Sequence, residues 1–319
     1  MKITLSLAAA ALFAGAAYAA DDVKSIPKYQ PTGEKLRGTL DSVGSDTMNN
    51  LMTYWAEGFA KHYPDVQVQI EGKGSSTAPP ALIEGVSEFG PMSRAMKNEE
   101  IDEFEKRYGY KPTRLRTCLD ALAVFVSKDN PIESLSLDQV DAIFSKTRNR
   151  GMTPVATWGD LGMRGDFASA KISLFGRNSA SGTYGFFKTN ALKKGDFKDE
   201  VKEQPGSAGV VQGVSKDRFA VGYSGIGYRT SDVRAVPLSS KEGKTAYEAN
   251  LENVVNEDYP LGRFLNLYVN KAPGKPMDPM VREFLKFVFS REGQEVVVKA
   301  GYLPLPAEVC QEELEKLRS

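Results

Sequence analysis

The sequence predicts an α/β protein with largely parallel sheets, divided into two domains, and three observations carry that prediction. Short apolar strands alternate with amphipathic helices along most of the chain, the pattern of sheets covered by helices. A unit of strand, Gly/Ser/Thr turn and helix occurs three times. The length, 319 residues, exceeds what one hydrophobic core ordinarily supports.

The first 19 residues read as an export signal. Lys2 is followed by an apolar, alanine-rich run over 3–17, and Ala17-Tyr18-Ala19 fits a small-x-small cleavage site. The run is too short for a spanning helix, and no later stretch approaches the roughly 18 apolar residues that one requires. No cysteine lies near the cleavage site to carry a lipid anchor, which points to the periplasm. Residues 20–34, polar and containing Pro27 and Pro31, read as a flexible leader.

The ordered elements then follow. Residues 36–43 form an uneven strand running into Gly44-Ser45-Asp46-Thr47. Met48, Leu51, Met52, Trp55 and Phe59 make one helical stripe at three-and-four spacing. Residues 66–70 alternate as a half-buried strand and lead into Gly72-Lys73-Gly74-Ser75-Ser76-Thr77, after which Pro79 and Pro80 suit the first turn of a short helix ending near Gly85. A short strand at 88–94 precedes a charged helix over 98–107, and residues 119–126 are a strand apolar on both faces. A helix over 136–144, a packed turn at 157–161 and a strand over 172–175 bring the chain to Gly176-Arg177-Asn178-Ser179-Ala180-Ser181-Gly182-Thr183. The helix after it begins near Thr183. Strands over 218–223 and 266–270 and a helix carrying Val281, Phe284, Leu285 and Val288 follow, and Gly301 closes the next helix.

Each Gly/Ser/Thr turn leads into a helix N-terminus, where unpaired N–H groups and the positive end of the dipole favour an oxyanion. At the third, Arg177 offers a bidentate fork, Ser181 and Thr183 offer hydroxyls, and Gly182 admits a ligand to the backbone. An ordinary capped turn is the alternative at any one of the three. Lys plus Arg and Asp plus Glu both number 41, so charge gives no case for nucleic acid or an anionic membrane. The single histidine, His62, reads as a rim residue, and one His with two distant Cys makes a zinc site or a His-based triad a poor expectation. Cys118 and Cys310 are either a disulfide or two buried thiols.

Five motifs in order, Gly44-Ser45-Asp46-Thr47-Met48, Gly72-Lys73-Gly74-Ser75-Ser76, Phe89-Gly90-Pro91-Met92-Ser93-Arg94, the stretch from Arg177 to Thr183, and Val221-Gly222-Tyr223-Ser224-Gly225, make the chain similar to the periplasmic phosphate-binding proteins of high-affinity phosphate ABC transporters. The resemblance implies two lobes joined by two crossover strands, near 122–128 and 263–270. Lobe I is then discontinuous, 35–122 plus 265–319, and lobe II spans 123–264. It implies a ligand set of Thr47 and the backbone of Met48, then Ser75, then Arg177, Ser181, Gly182 and Thr183. In the best-known branch an aspartate accepts the proton of phosphate; that place falls here on Ser93 or Arg94. The same branch has an aspartate pairing the cradle arginine where this chain has Ser179. If Arg94 meets the ligand, the pocket holds two arginines; otherwise Arg94 pairs with Glu99 or Glu100 and Ser93 alone meets it.

The function so implied is capture of inorganic phosphate in the periplasm for delivery to the membrane permease of an ABC transporter. It implies a monomer not inserted in the membrane, with no nucleic-acid partner, cofactor, metal or catalysis. Two alternatives stay open: a phosphomonoesterase on the same scaffold, disfavoured by the lone histidine and the lack of a Gly-x-Ser-x-Gly elbow, and a binding protein for sulfate, molybdate or a phosphonate.

Overall fold

A computed structural model describes residues 23–317. The signal sequence expected over 1–19 lies outside them. In the first lobe, strand β1 (Gly38–Val43) lies parallel to β2 (Val66–Glu71), with helix α1 (Asn49–Ala60) crossing between them. The stripe expected on α1 is buried: Leu51, Met52, Trp55 and Phe59 face the core, and burial of such side chains contributes about 1.5–3 kcal/mol each. Helix α2 (Ala78–Glu84) ends on Gly85, left-handed at φ 68°. Ser42 bridges Phe89 just before β3 (Gly90–Met92), and β3 pairs antiparallel with β11 (Gly262–Val269).

Strand β4 (Thr113–Ser127) is longer than its apolar run suggests and belongs to both lobes. Up to Ala121 it pairs with β11; from Leu122 it pairs with β8 (Ala220–Gly225), and Phe125 to Ser127 also meet β9 (Val233–Ala235). Beyond β8 the second sheet continues in parallel through β6 (Ser173–Arg177) and β7 (Lys202–Gln204). The parallel pairs thus lie within the lobes and the antiparallel pairs gather on β4 and β11, where the chain crosses. Strands β5 (Leu135–Ser136) and β10 (Leu238–Ser239) form a small parallel pair beside helix α4 (Leu137–Phe144); α3 (Asn98–Tyr108) packs on the outer side of the first lobe.

Helix α5 (Gly182–Asn190) follows β6, and α6 (Ser207–Ser215) precedes β8. After the short α7 (Leu251–Val255) and β11, helices α8 (Pro279–Val288) and α9 (Arg291–Lys299) return to the first lobe. There the Trp55 indole donates to the Gly293 carbonyl at 2.8 Å and Phe59 meets Phe284 edge-on at 5.3 Å. Helix α10 (Ala307–Glu315) closes on β4 through Glu313, whose carboxylate accepts from Arg116.

One expectation meets a different outcome, and one open alternative is decided. The leader expected to be flexible is packed in its first part: Val23, Ile26 and Tyr29, spaced by three, are buried, while residues 30–34 are exposed. The Tyr29 hydroxyl donates to Glu283 at 2.9 Å, and the Arg291 side chain donates to the Ile26 carbonyl at 3.0 Å. Three apolar side chains on one face outweigh the polar composition once α8 and α9 are there to receive them. As for the cysteines, Cys118 and Cys310 are two buried free thiols, in separate places on β4 and α10. His62 is exposed, its ring edge-on to Tyr29 at 4.9 Å.

Candidate ligand-binding site

Helix N-termini from both lobes converge on one buried polar cluster. From the first lobe come the 3-10 turns Asp46–Met48 and Ser75–Thr77, which feed α1 and α2, and the end of β3 at Ser93. From the second comes α5, whose N-cap Ser181 accepts from the amides of Thr183 and Tyr184. Thr47, Ser75, Ser93, Ser181 and Thr183 are all buried. The Thr47 and Thr183 hydroxyls lie 2.9 Å apart across the lobes, those of Ser75 and Ser93 3.2 Å apart, and Thr183 reaches Ser93 at 3.4 Å.

Gly182 is required by proximity rather than by its backbone angle. A Cβ there would stand 2.3 Å from the Ser75 hydroxyl oxygen and 2.7 Å from that of Ser93. Gly74 is constrained in both respects, with φ 119° and the Ala180 carbonyl of the other lobe 2.6 Å from where its Cβ would be. Beside it the Ser76 amide donates to the Ala180 carbonyl at 3.1 Å, a main-chain bond across the cleft.

Arg177 ends β6, and its amide donates to the buried Tyr223 hydroxyl at 3.2 Å. Tyr223 in turn stacks on Phe187 of α5 at 3.9 Å. The guanidinium is enclosed: it donates to Ser207 Oγ at 2.6 Å and to the Pro205 carbonyl at 3.1 Å, and stands 3.1 Å from Asp46 Oδ1. Burial pulls its pKa below the usual arginine value, against the opposing charge of Asp46. Among the described residues its Nε has no partner, and neither has the buried hydroxyl of Ser45. Unpaired buried donors are costly and mark a place for a ligand or water.

A second guanidinium, absent from the sequence-based set, closes the cluster. Arg263 opens β11, binds Asp120 Oδ2 through Nε at 2.9 Å and NH2 at 2.7 Å, and donates to the Ser93 carbonyl and to Thr183 Oγ1. Asp120 is fully buried and also accepts from the Ile226 amide at 3.0 Å.

The structure therefore brings together Thr47, Ser75, Ser93, Ser181, Gly182 and Thr183, with Arg177 held at the edge by Asp46. Two residues stand differently. The Met48 amide is used within its own turn, donating to the Ser45 carbonyl at 3.1 Å, and its side chain is core. Arg94 turns away to chelate Glu100, at 2.7 and 2.6 Å, the outward alternative read from the sequence. Ser179 is exposed; the carboxylate beside Arg177 comes from Asp46 of the other lobe. Asp120 had a legible signal, a lone carboxylate in a strand apolar on both faces, which demands a buried partner. Nothing local marked Ser207 or Arg263.

A polar site enclosed between two α/β lobes that share crossover strands defines a two-lobed solute-binding protein. The chain matches the PBP superfamily domain over residues 30–292. It is 55% identical to the phosphate-binding protein PstS of Pseudomonas aeruginosa, covering 99% of this chain and 98% of that one. It is 30% identical to PstS of Staphylococcus haemolyticus over 89% and 86% of the two chains. A Clostridium perfringens protein assigned as the substrate-binding protein of a phosphate ABC transporter, solved with bound phosphate, superimposes with TM-score 0.71 at 26% identity, covering 84% of this chain and all of that one. The chain belongs to the PstS phosphate-binding proteins of the PBP superfamily.

Proposed function

We propose that this protein captures inorganic phosphate between its lobes and delivers it to the permease of an ABC transporter, with no chemistry of its own. One observation carries the reading: buried hydroxyls and an enclosed arginine, its Nε unpartnered among the described residues, gather where helix N-termini of both lobes meet. Both buried guanidinium groups are already matched by carboxylates, Arg177 by Asp46 and Arg263 by Asp120, so the anion is held by many oriented donors rather than by net charge. The names of the relatives, and phosphate in the Clostridium structure, support the same ligand.

Within this reading the lobes are 35–122 plus 265–319 and 123–264, supported by the change of partner of β4 at Leu122 and the start of β11 at Gly262. The protein works as an exported monomer in the periplasm. No helix among the described residues is long and apolar enough to cross a membrane. Calorimetric titration with phosphate, arsenate, sulfate and molybdate at pH 6 and pH 8 tests the ligand. Phosphate and arsenate should bind far more tightly than the other two and raise the melting temperature by mass action. Tighter binding of sulfate or molybdate, or hydrolysis of a chromogenic phosphate ester by the pure protein, would overturn the proposal.

A further inference from the structure

The hydroxyls of the cluster are not equivalent in what they can still accept. Ser181 Oγ receives two amide N–H groups and Ser75 Oγ receives the Ser93 amide at 3.0 Å, so each has its hydrogen left to give. Thr183 Oγ1 lies 2.9 Å from Arg263 NH2. A guanidinium donates only, so this hydroxyl must accept from it, and the adjacent positive charge turns the O–H dipole with its hydrogen outward. Thr47 and Ser93 receive no N–H on their hydroxyls among the described bonds and so keep the most capacity to take a proton from a ligand, while Ser75 and Thr183 each keep one lone pair, that of Thr183 opposed by the charge of Arg263.

Arg263 is built to hold this setting. It is 6% exposed, Asp120 takes two of its N–H groups, the Ser93 carbonyl takes a third at 2.8 Å, and its plane lies over the Phe186 ring at 5.1 Å. These contacts come from β4, β3 and α5, so the guanidinium reaches this geometry only when both lobes are engaged.

We infer that Arg263, oriented by Asp120, is a positioning residue that fixes Thr183 as a proton donor and thereby biases the site towards the fully ionised form of its oxyanion. The inference rests on the oxyanion reading above and adds a determinant of charge-state preference. Phosphate has its second ionisation near neutrality, so the monoanion still carries a proton at pH 6 that must find an acceptor, whereas the dianion dominates at pH 8.

The test compares phosphate and sulfate affinities at pH 6 and pH 8 by calorimetry for the full mature chain and three variants. Arg263→Met combined with Asp120→Leu removes the pair without stranding a buried charge, which preserves folding where a single truncation would not. Arg263→Lys keeps the ion pair but cannot serve both Asp120 and Thr183. Adding Thr183→Val to the double variant removes the hydroxyl itself. In the parent the phosphate affinity should rise on the order of tenfold from pH 6 to pH 8, following the dianion. In the double variant and in Arg263→Lys that ratio should fall about threefold or more, because an unconstrained Thr183 hydroxyl can accept the monoanion's proton. Sulfate, ionised throughout, should show no such change in ratio, and adding Thr183→Val to the double variant should return the phosphate ratio towards the parent's, because the freed acceptor is then gone. An unchanged phosphate ratio, or equal losses for both anions at both pH values, would overturn the inference and leave Arg263 a purely structural ion pair. A parent that binds arsenate but not phosphate would defeat the phosphate reading alone, since arsenate then supplies the same pH ratio. A parent that binds neither would defeat both.

Discussion

Asp46 Oδ1 stands 3.1 Å from the Arg177 guanidinium and 2.7 Å from the Ser207 amide. One carboxylate of the first lobe thus holds an arginine and the N-terminus of α6 in the second. Its own carbonyl accepts from the Tyr228 hydroxyl at 2.8 Å, a further tie across the cleft. Arg177→Ala should weaken phosphate binding by about 2–5 kcal/mol, within the range for truncating a buried charged partner. Asp46→Ala, which spares the arginine and removes its anchor, should cost less, about 1–3 kcal/mol. Calorimetry on folded variants checks both, and an unchanged affinity for Arg177→Ala would take that side chain out of the site.

Gly182→Ala separates folding from binding. Alanine is the better helix former at the start of α5, so the ligand-free melting temperature should hold or rise. The added methyl would stand 2.3 Å from the Ser75 hydroxyl oxygen and force the lobes apart. Phosphate affinity should fall by on the order of 1–3 kcal/mol, the usual cost of overpacking. Scattering with saturating phosphate should then show a less compact particle than the parent.

Arg94→Ala should change phosphate affinity by less than about twofold, because the guanidinium is occupied by Glu100. Its effect belongs to stability. Burial alone would raise the Glu100 carboxyl, but hydrogen bonds from Arg94 and the Lys97 amide outweigh it and hold the pKa below the usual value. A depressed carboxylate stabilises above its unfolded pKa and loses that contribution as pH falls through the folded one. The variant should therefore be up to about 1 kcal/mol less stable at neutral pH, with the deficit shrinking at a second, acid pH below the ordinary carboxylate range. Denaturant titrations at the two pH values measure it; an equal deficit at both would show that the pair is not the cause.

Cys118 and Cys310 should resist thiol reagents in the folded protein and react together on unfolding. Burial pushes the Cys310 thiol up to about 12, and burial with the charge of Asp120 pushes Cys118 well above its ordinary value, so neither supplies thiolate at neutral pH. Fast labelling of native protein, or an intact mass showing an oxidised pair, would contradict the buried-thiol geometry.

Much of this protein was determined by sequence alone, wherever the deciding physics is local. The stripe Leu51, Met52, Trp55 and Phe59, the alternation of β2 and the left-handed Gly85 follow from helix period, strand period and the lack of a Cβ. So does the placing of Ser75, Ser181 and Thr183 at helix starts, since unpaired N–H groups there call for oxygen. Tertiary structure alone decided which charges meet. The partner of Arg177 is Asp46, 131 positions earlier, and that of Arg263 is Asp120, 143 earlier. An ion pair has no periodicity to read: a guanidinium bonds whichever carboxylate the fold delivers within about 3 Å, and that delivery depends on where β4 leaves one lobe for the other.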